Sequence, residues 1–182
     1  MLAGVGAAGL QAVVNVRLAS DEPTDAVDND DRIAQRVAEA ATTAFAWPET
    51  RVFLDTLVDQ DRGNHPRHGL IDRRFNPRPA SRVLRHLQAA LVELGAPLVP
   101  GAARELGSAR VLPLSAPCTD AELVLPDAGA PLPPLAEAAR VVDLESSAVL
   151  GRVPDAEGPL LLVRPRAGQA GSIQAAATKG MS

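Results

Sequence analysis

Aromatic residues are scarce in this chain of 182 residues, and their scarcity limits both its core and its ligands. The chain has three Phe, one Trp and no Tyr, and all four rings fall between positions 45 and 75. Outside that window, a core must be built from Ala, Val and Leu, which bury less area per residue than rings do. So few rings also argue against a module that stacks bases or sugars along its surface.

Lysine and cysteine are nearly absent as well. Lys179 is the one lysine among 18 basic residues, and the net charge is −4. An acidic chain without a broad basic surface gives no reason to expect a nucleic-acid partner. Cys118 is the one cysteine, so we predict no internal disulfide, a buried thiol and a cytoplasmic protein. The uncharged run at residues 1–16 is too short to cross a membrane, and we predict no membrane association.

The first half of the chain alternates between strand and helix patterns. Residues 12–18 and 52–58 are rich in β-branched residues and predict strands. Apolar residues at three- and four-residue spacing predict a helix that starts near Asp30 and ends before Trp47-Pro48. A second helix is predicted from Pro79 to Gly95. This order indicates an α/β fold with parallel strands, and the apolar second strand is typical of strands covered on both faces.

The second half contains short apolar runs separated by Gly, Pro and polar residues. These runs predict a small antiparallel β-domain over residues 96–165, whose last three strands form a meander. Residues 1–95 are then one domain. Residues 166–182 are small and polar, and we predict a disordered tail there. The predicted strands of this half cover residues 110–114, 122–125, 140–144, 149–153 and 160–164.

The most informative stretch follows the second strand. It contains Asp59 and Asp61, then His68-Gly69-Leu70-Ile71-Asp72, and then Asn76-Pro77-Arg78-Pro79-Ala80. In these phrases the chain resembles the end of the catalytic (β/α)8 barrel of retaining glycoside hydrolases of the large Glu/Glu clan. The resemblance implies that residues 1–95 form the last two βα units of a partial (β/α)8 barrel. It also implies that the β-rich half corresponds to the small β-domain often appended to such barrels.

The resemblance implies a carbohydrate ligand at the carboxyl ends of the strands, where barrel enzymes bind their substrates. We expect the substrate-binding residues to be Asp59, Asp61, Arg62, His65 and His68, because they combine hydrogen-bond donors with acceptors. A second interpretation stays open. Asp61 and Asp72 could instead form ion pairs with the neighbouring arginines and hold the loop in place without any ligand.

Catalysis by this chain faces a difficulty, since retaining hydrolysis needs two carboxylates about 5–5.5 Å apart. In the clan these carboxylates follow strands four and seven, and strand four would precede Met1. Strand seven would be residues 12–18, after which Glu22 is only a weak candidate nucleophile. We therefore expect a truncated, glycoside-hydrolase-like chain that lacks its acid/base carboxylate and is inactive alone.

Two other functions remain open. The chain could be a non-catalytic interaction or accessory module, because two parallel strands leave edges that a protein partner or a second copy could complete. It could also be a fragment of a metal-dependent sugar isomerase barrel. The loop holds ligand types suited to a metal, but their spacing matches no metal motif. We predict no bound metal and no cofactor.

Overall fold

A computed structural model describes residues 11–18, 30–59, 69–127, 132, 134–135, 138, 140–150 and 158–166. The fold is mixed α/β. Its helices are α1 (Asp30–Ala46) and α2 (Pro79–Leu94). Its strands are β1 (Ala12–Arg17), β2 (Thr50–Asp55), β3 (Val99–Pro100), β4 (Arg104–Leu106), β5 (Ala109–Ser115), β6 (Thr119–Pro126), β7 (Arg140–Asp143), β8 (Val149–Leu150) and β9 (Leu160–Pro165).

The first two strands pair in parallel, with Val14 opposite Val52 and Arg17 opposite Asp55. A single crossover through α1 joins them, as the strand and helix patterns predict. Both helices lie on one face of the pair, where Val16 and Leu54 pack against the core. The other face is open, since Phe53 is 57% exposed. The prediction of strands covered on both faces is therefore wrong, because helices cover one side only.

The remaining strands form an antiparallel sheet in the order β3-β5-β6-β9-β7-β8, with β4 paired to β5. In this sheet β9 lies between β6 and β7 and bonds to both of them. The predicted meander of the last three strands is therefore wrong. The central position of β9 is favoured because it buries Leu160, Leu161 and Leu162 fully, and burial of apolar side chains stabilises the fold. Cys118, expected to be buried, is exposed in the β5–β6 turn.

The largest hydrophobic cluster crosses the predicted boundary at residue 95. It joins Val37 of α1 and Leu87 of α2 to Leu123 of β6 and Leu161 of β9. A second, smaller cluster covers the opposite face of the antiparallel sheet around Val111 and Leu162. Ala, Val and Leu make up nearly all of both clusters, as the shortage of rings predicts. The helices thus pack between the parallel pair and the antiparallel sheet.

Polar contacts add to this packing between α2 and the antiparallel sheet. The His86 Nδ1–H donates to the Leu144 carbonyl at 2.9 Å, and Arg82 pairs with Glu145 at the same sheet end. Among the described residues, neither helix combines the length and the apolar character that a membrane crossing requires.

Candidate functional site

The loop between β2 and α2 returns to the end of β2 and runs beside it. The Leu70 N–H donates to the Thr56 carbonyl, and the Ile71 N–H donates to the Leu57 carbonyl at 3.0 Å. The Asp59 N–H donates to the Ile71 carbonyl, which continues this short parallel pairing. The segment from Gly69 to Pro79 is thereby fixed beyond the carboxyl end of β2, where the resemblance places a ligand.

Gly69 is required by the closeness of this backbone pairing. A Cβ at position 69 would lie 2.5 Å from the Asp59 nitrogen and 2.8 Å from both the Ile71 oxygen and the Val58 carbonyl carbon. All three neighbours are backbone atoms, so no side chain can rotate away. The glycine of the His68-Gly69-Leu70 phrase therefore has a steric role in bringing the two segments together.

We expect Gly69→Ala to lower the free energy of unfolding by about 1–3 kcal/mol, because the backbone must shift to admit the methyl group. Chemical denaturation followed by circular dichroism measures this change. Gly158→Ala is the matched control, since the described residues place only the Glu145 side chain near its Cβ, at 3.6 Å or more. Equal losses in the two variants would contradict the steric role.

An ion-pair network centred on Arg78 holds the base of the loop. Arg78 Nη2 donates to Asp59 Oδ2 at 2.6 Å, and Nη1 donates to Asp30 Oδ1 at 2.9 Å. The second Asp59 oxygen accepts a hydrogen bond from the Gly69 N–H at 2.8 Å. The Asp59 side chain is only 2% exposed. One guanidinium thus joins the start of α1, the end of β2 and the start of α2.

The electrostatics of Arg78 follow from these contacts. Burial by itself lowers the pKa of the guanidinium, but the hydrogen bonds that it donates to Asp59 and Asp30 outweigh burial and raise the pKa overall. Arg78 is therefore a permanent cation, and its planar fork lets it bridge two carboxylates at once. In the described part of the chain its Nε atom is buried without a hydrogen-bond partner.

Asp72 organises the turn that leads into α2. Its Oδ1 accepts hydrogen bonds from the N–H groups of Arg74 and Asn76, and its Oδ2 accepts one from the Asn76 amide at 2.9 Å. These bonds favour the charged carboxylate. The pKa of Asp72 is lowered mainly by the Asn76 side chain, then by the Asn76 backbone, with smaller contributions from Arg74.

We expect the carboxyl carbon of Asp72 to titrate in NMR below the ordinary value of 3.8. Asn76→Ala should move the midpoint back toward that value, because it removes the side-chain hydrogen bond that lowers the pKa of Asp72 most. Since the folded pKa is depressed, the turn's contribution to stability is complete above the unfolded pKa and is lost as the pH falls through the folded pKa. Arg74→Ala is the control and should shift the midpoint less, since its backbone N–H remains. A wild-type midpoint at or above 3.8 would contradict this account.

These groups line an open polar cleft of about 600 Å³, which we call the Arg78 cleft. Its walls carry acceptors on Asp72 and Asn76 and donors on Arg73 and Arg74. Among the described residues, three Asp and three Arg side chains line the cleft, so their formal charges cancel. Such a surface can exchange hydrogen bonds with several hydroxyl groups of one ligand. The lining residues are Asp30, Asp59, Asp72, Arg73, Arg74, Asn76, Pro77, Arg78 and Pro79.

The structure describes only one of the predicted site residues. Asp59 lies at the back of the cleft, with both oxygens engaged, so it holds the loop together in the observed arrangement. Asp61, Arg62, His65, His68 and the weak candidate nucleophile Glu22 lie outside the described residues. Within the described ranges, no three His, Cys, Asp or Glu side chains come together as a metal site would need.

Sequence reasoning missed the central role of Arg78. The sequence predicted that the two helices start near Asp30 and at Pro79, without any contact between the two starts. The partners of Arg78 lie 19 and 48 residues away along the chain, so no local spacing connects them. The available signal was an arginine between two prolines, a position where the backbone is restricted and the side chain is held at the helix start.

No family model matches the chain, and no curated protein matches it. Among solved structures, the chain is similar to a family 39 glycoside hydrolase from the gut symbiont Bacteroides cellulosilyticus WH2, at 15% identity and a TM-score of 0.45. The similarity covers 77% of this chain and 30% of that chain. The chain therefore spans less than a third of that protein's length.

Proposed function

We propose that this chain is a glycoside-hydrolase-like barrel end that binds a carbohydrate in the Arg78 cleft but does not hydrolyse it alone. The observation that carries the proposal is the arrangement of the first half. Two adjacent parallel strands have their helices on one side, and the loop with the barrel-end phrases lies beyond their carboxyl ends. In a (β/α)8 barrel, helices lie outside the strands and ligands bind at this end.

The open face of the parallel pair supports the same proposal. Val13, Asn15 and Arg17 of β1 share it with Arg51, Phe53 and Asp55 of β2. In a closed barrel, the face turned away from the helices is the interior, where side chains from several strands pack in layers. Two strands are too few to form such layers, so this face is exposed in the described structure.

The chemistry of the cleft supports binding without hydrolysis. A retaining glycosidase needs one carboxyl group whose raised pKa lets it donate a proton, and a second carboxylate as nucleophile. Asp72 has its pKa lowered instead, so it stays charged near neutral pH. Asp30 and Asp59 both accept hydrogen bonds from Arg78. Both carboxylates are therefore engaged in the ion pairs that hold the loop.

The test has two parts, performed on the purified full chain. With a panel of aryl glycosides, we expect no release of the aryl group above the buffer blank, and robust turnover would overturn the inactivity.

With non-hydrolysable oligosaccharides, we expect NMR shifts confined to the amides of residues 72–74 and 76. The Arg73→Ala/Arg74→Ala double variant should weaken this binding about tenfold, because charged hydrogen bonds are lost. Arg104→Ala, on β4, is the matched control.

A second candidate function is a homodimerisation module that uses the open face. Val13 is 67% and Phe53 57% exposed there, which is unusual for apolar side chains at the centre of a sheet face. The face is also self-complementary. Suppose that two copies stack these faces, with a two-fold axis between them that runs parallel to the line from Asn15 to its neighbour Phe53. Arg51 of one copy then lies opposite Asp55 of the other, and the two Phe53 rings face each other.

Size-exclusion chromatography with light scattering tests this candidate. We expect a mass of about twice 18.9 kDa at high concentration. Arg51→Asp should give a monomer, and Arg51→Asp combined with Asp55→Arg should restore the dimer. Phe75→Ser is the control, since Phe75 is exposed but lies outside this face. A monomeric wild type at all concentrations would exclude the candidate. No observation among the described residues favours the metal-dependent isomerase.

A further inference from the structure

The Arg78 cleft contains two kinds of polar side chain, and they differ in how far they are already engaged. Arg78 and Asp59 are bonded to each other, and their remaining bonds go to Asp30 and to the backbone of the loop. The other kind belongs to the turn from Asp72 to Asn76, which also lines the cleft and is largely exposed. This turn therefore supplies the groups that can contact a ligand.

The turn presents donors and acceptors side by side. The positive charge of Arg74 lowers the pKa of Asp72, so it lies near that carboxylate, but among the described residues the Arg74 guanidinium makes no hydrogen bond. The Asn76 amide donates to Asp72 Oδ2 at 2.9 Å, and within the described ranges the Asn76 Oδ1 atom accepts no bond. A carboxylate oxygen has room for a second donor beyond this one. Two acceptor oxygens thus lie close to a guanidinium with several N–H donors.

Hydrogen bonds within the turn fix its shape without a ligand. The Asp72 N–H donates to the Asn76 carbonyl, and the Phe75 N–H donates to the Asp72 carbonyl, both at 3.0 Å. Asp72 Oδ1 also accepts the N–H groups of Arg74 and Asn76. These bonds hold Phe75 at a φ of 63°, which a bulky side chain rarely adopts. Strained backbone is concentrated at sites that bind ligands, and a site ordered in advance binds more tightly.

We propose that the turn from Asp72 to Asn76 binds two adjacent hydroxyl groups of a neutral sugar, an inference that rests on the carbohydrate binding proposed above. One hydroxyl donates to Asp72 Oδ2 and the other donates to Asn76 Oδ1, while Arg74 donates to the oxygens of both. Hydroxyl groups suit this arrangement because each one donates and accepts at the same time. Arg78 and Asp59 then hold the loop in place without contacting the sugar.

The charges of the turn disfavour acidic and basic sugars. The carboxylate of a uronic acid could pair with Arg74, but it would then lie beside the charged carboxylate of Asp72. An ammonium group could pair with Asp72, but it would then lie beside Arg74. Arg73 already has an interaction of its own. The formal charges of the described cleft cancel, so no net charge favours an ion of either sign. Neutral hydroxyl groups use both charges of the turn and are repelled by neither.

Methyl β-glucoside and methyl β-galactoside test the preference for neutral sugars. Each is compared with its uronic acid and its 6-amino-6-deoxy counterpart, which change the charge and keep the ring hydroxyls. The NMR shifts of the amides of residues 72–74 and 76 should give a Kd of about 1 mM for at least one neutral glycoside. Both charged counterparts should bind about two- to fivefold more weakly, as expected for exposed like charges. Added salt should leave the Kd of the neutral glycoside unchanged, because screening acts on charges.

Arg74→Ala tests the contact itself, because the backbone N–H that bonds to Asp72 remains in this variant. It should weaken the neutral glycoside about three- to tenfold. Arg85→Ala is the matched control and should leave the affinity unchanged, since Arg85 is an exposed arginine of α2 that does not line the cleft. The same glycoside with every hydroxyl methylated should not bind, because it cannot donate to Asp72 or Asn76.

The results separate this inference from the proposed function. Tighter binding of a charged counterpart, unchanged affinity in Arg74→Ala, or binding of the methylated glycoside would overturn the inference and leave carbohydrate binding by the cleft standing. Oligosaccharide binding without any response to the methyl glycosides would also overturn it, because the two hydroxyl groups belong to a single ring. If neither oligosaccharides nor methyl glycosides shifted these amides, the inference and the proposed function would both be refuted.

Discussion

Arg78→Ala is expected to lower the free energy of unfolding by about 3–5 kcal/mol, because it leaves the buried Asp59 carboxylate without its counter-ion. The Asp59 side chain has almost no contact with water, and Arg78 is bonded to it at 2.6 Å. Asp59 also accepts a hydrogen bond from the Gly69 N–H. The Asp30 contact should add little, since that side chain is one-third exposed and retains water. Urea denaturation followed by circular dichroism measures the loss.

Arg82→Ala provides the matched control for Arg78→Ala. It removes an arginine from the same helix, but its pair with Glu145 is about 40% exposed on both sides. Such pairs contribute about 0–1 kcal/mol. The double variant Arg78→Ala/Asp59→Ala should be more stable than Arg78→Ala alone, because the orphaned charge is removed with its partner. If Arg78→Ala cost no more than Arg82→Ala, the network would not be what holds the loop.

Leu87→Ala in α2 and Leu123→Ala in β6 are each expected to cost about 2–5 kcal/mol, since both side chains are fully buried. They belong to one hydrophobic cluster, although they lie on opposite sides of the predicted boundary at residue 95. We therefore expect both variants to lower the midpoint of the same, single unfolding transition. Thermal unfolding monitored by circular dichroism and by calorimetry tests whether the two halves unfold together.

Val92→Ala is the control for these core variants, because Val92 is exposed on the same helix as Leu87. Its effect should stay within about 0.5 kcal/mol. Two resolved transitions, with Leu87→Ala moving one and Leu123→Ala the other, would instead mean that the halves are independent domains, as the division at residue 95 predicts. A single transition moved by both variants would mean that the shared cluster makes the halves one cooperative unit.

The helices were the most predictable elements. The predicted starts near Asp30 and at Pro79 match the observed ones, and both observed ends lie next to the predicted stops. Helix periodicity and end signals are local, so they are visible in a short stretch of sequence. The strands β3 and β4 were missed because two or three residues, one of them Pro100, show no alternation. The position of β9 between β6 and β7 depends on partners far away along the chain.

The candidate site was predictable only in outline. A polar loop after β2 and a glycine within it were visible, and the loop was correctly placed beyond the strand end. That Asp59 would be buried with both oxygens engaged was not visible, because its partner Arg78 lies 19 residues later, directly before the next helix.

The sequence by itself determined the elements and the composition of the core. Local periodicity specified both helices and the parallel order of β1 and β2, and the shortage of rings required a core of Ala, Val and Leu. Only the tertiary structure decided which faces are covered, where β9 inserts, and which charges meet at Arg78. These outcomes depend on contacts between residues far apart in sequence. Burial, which sets the strength of an ion pair, exists only once the chain has packed.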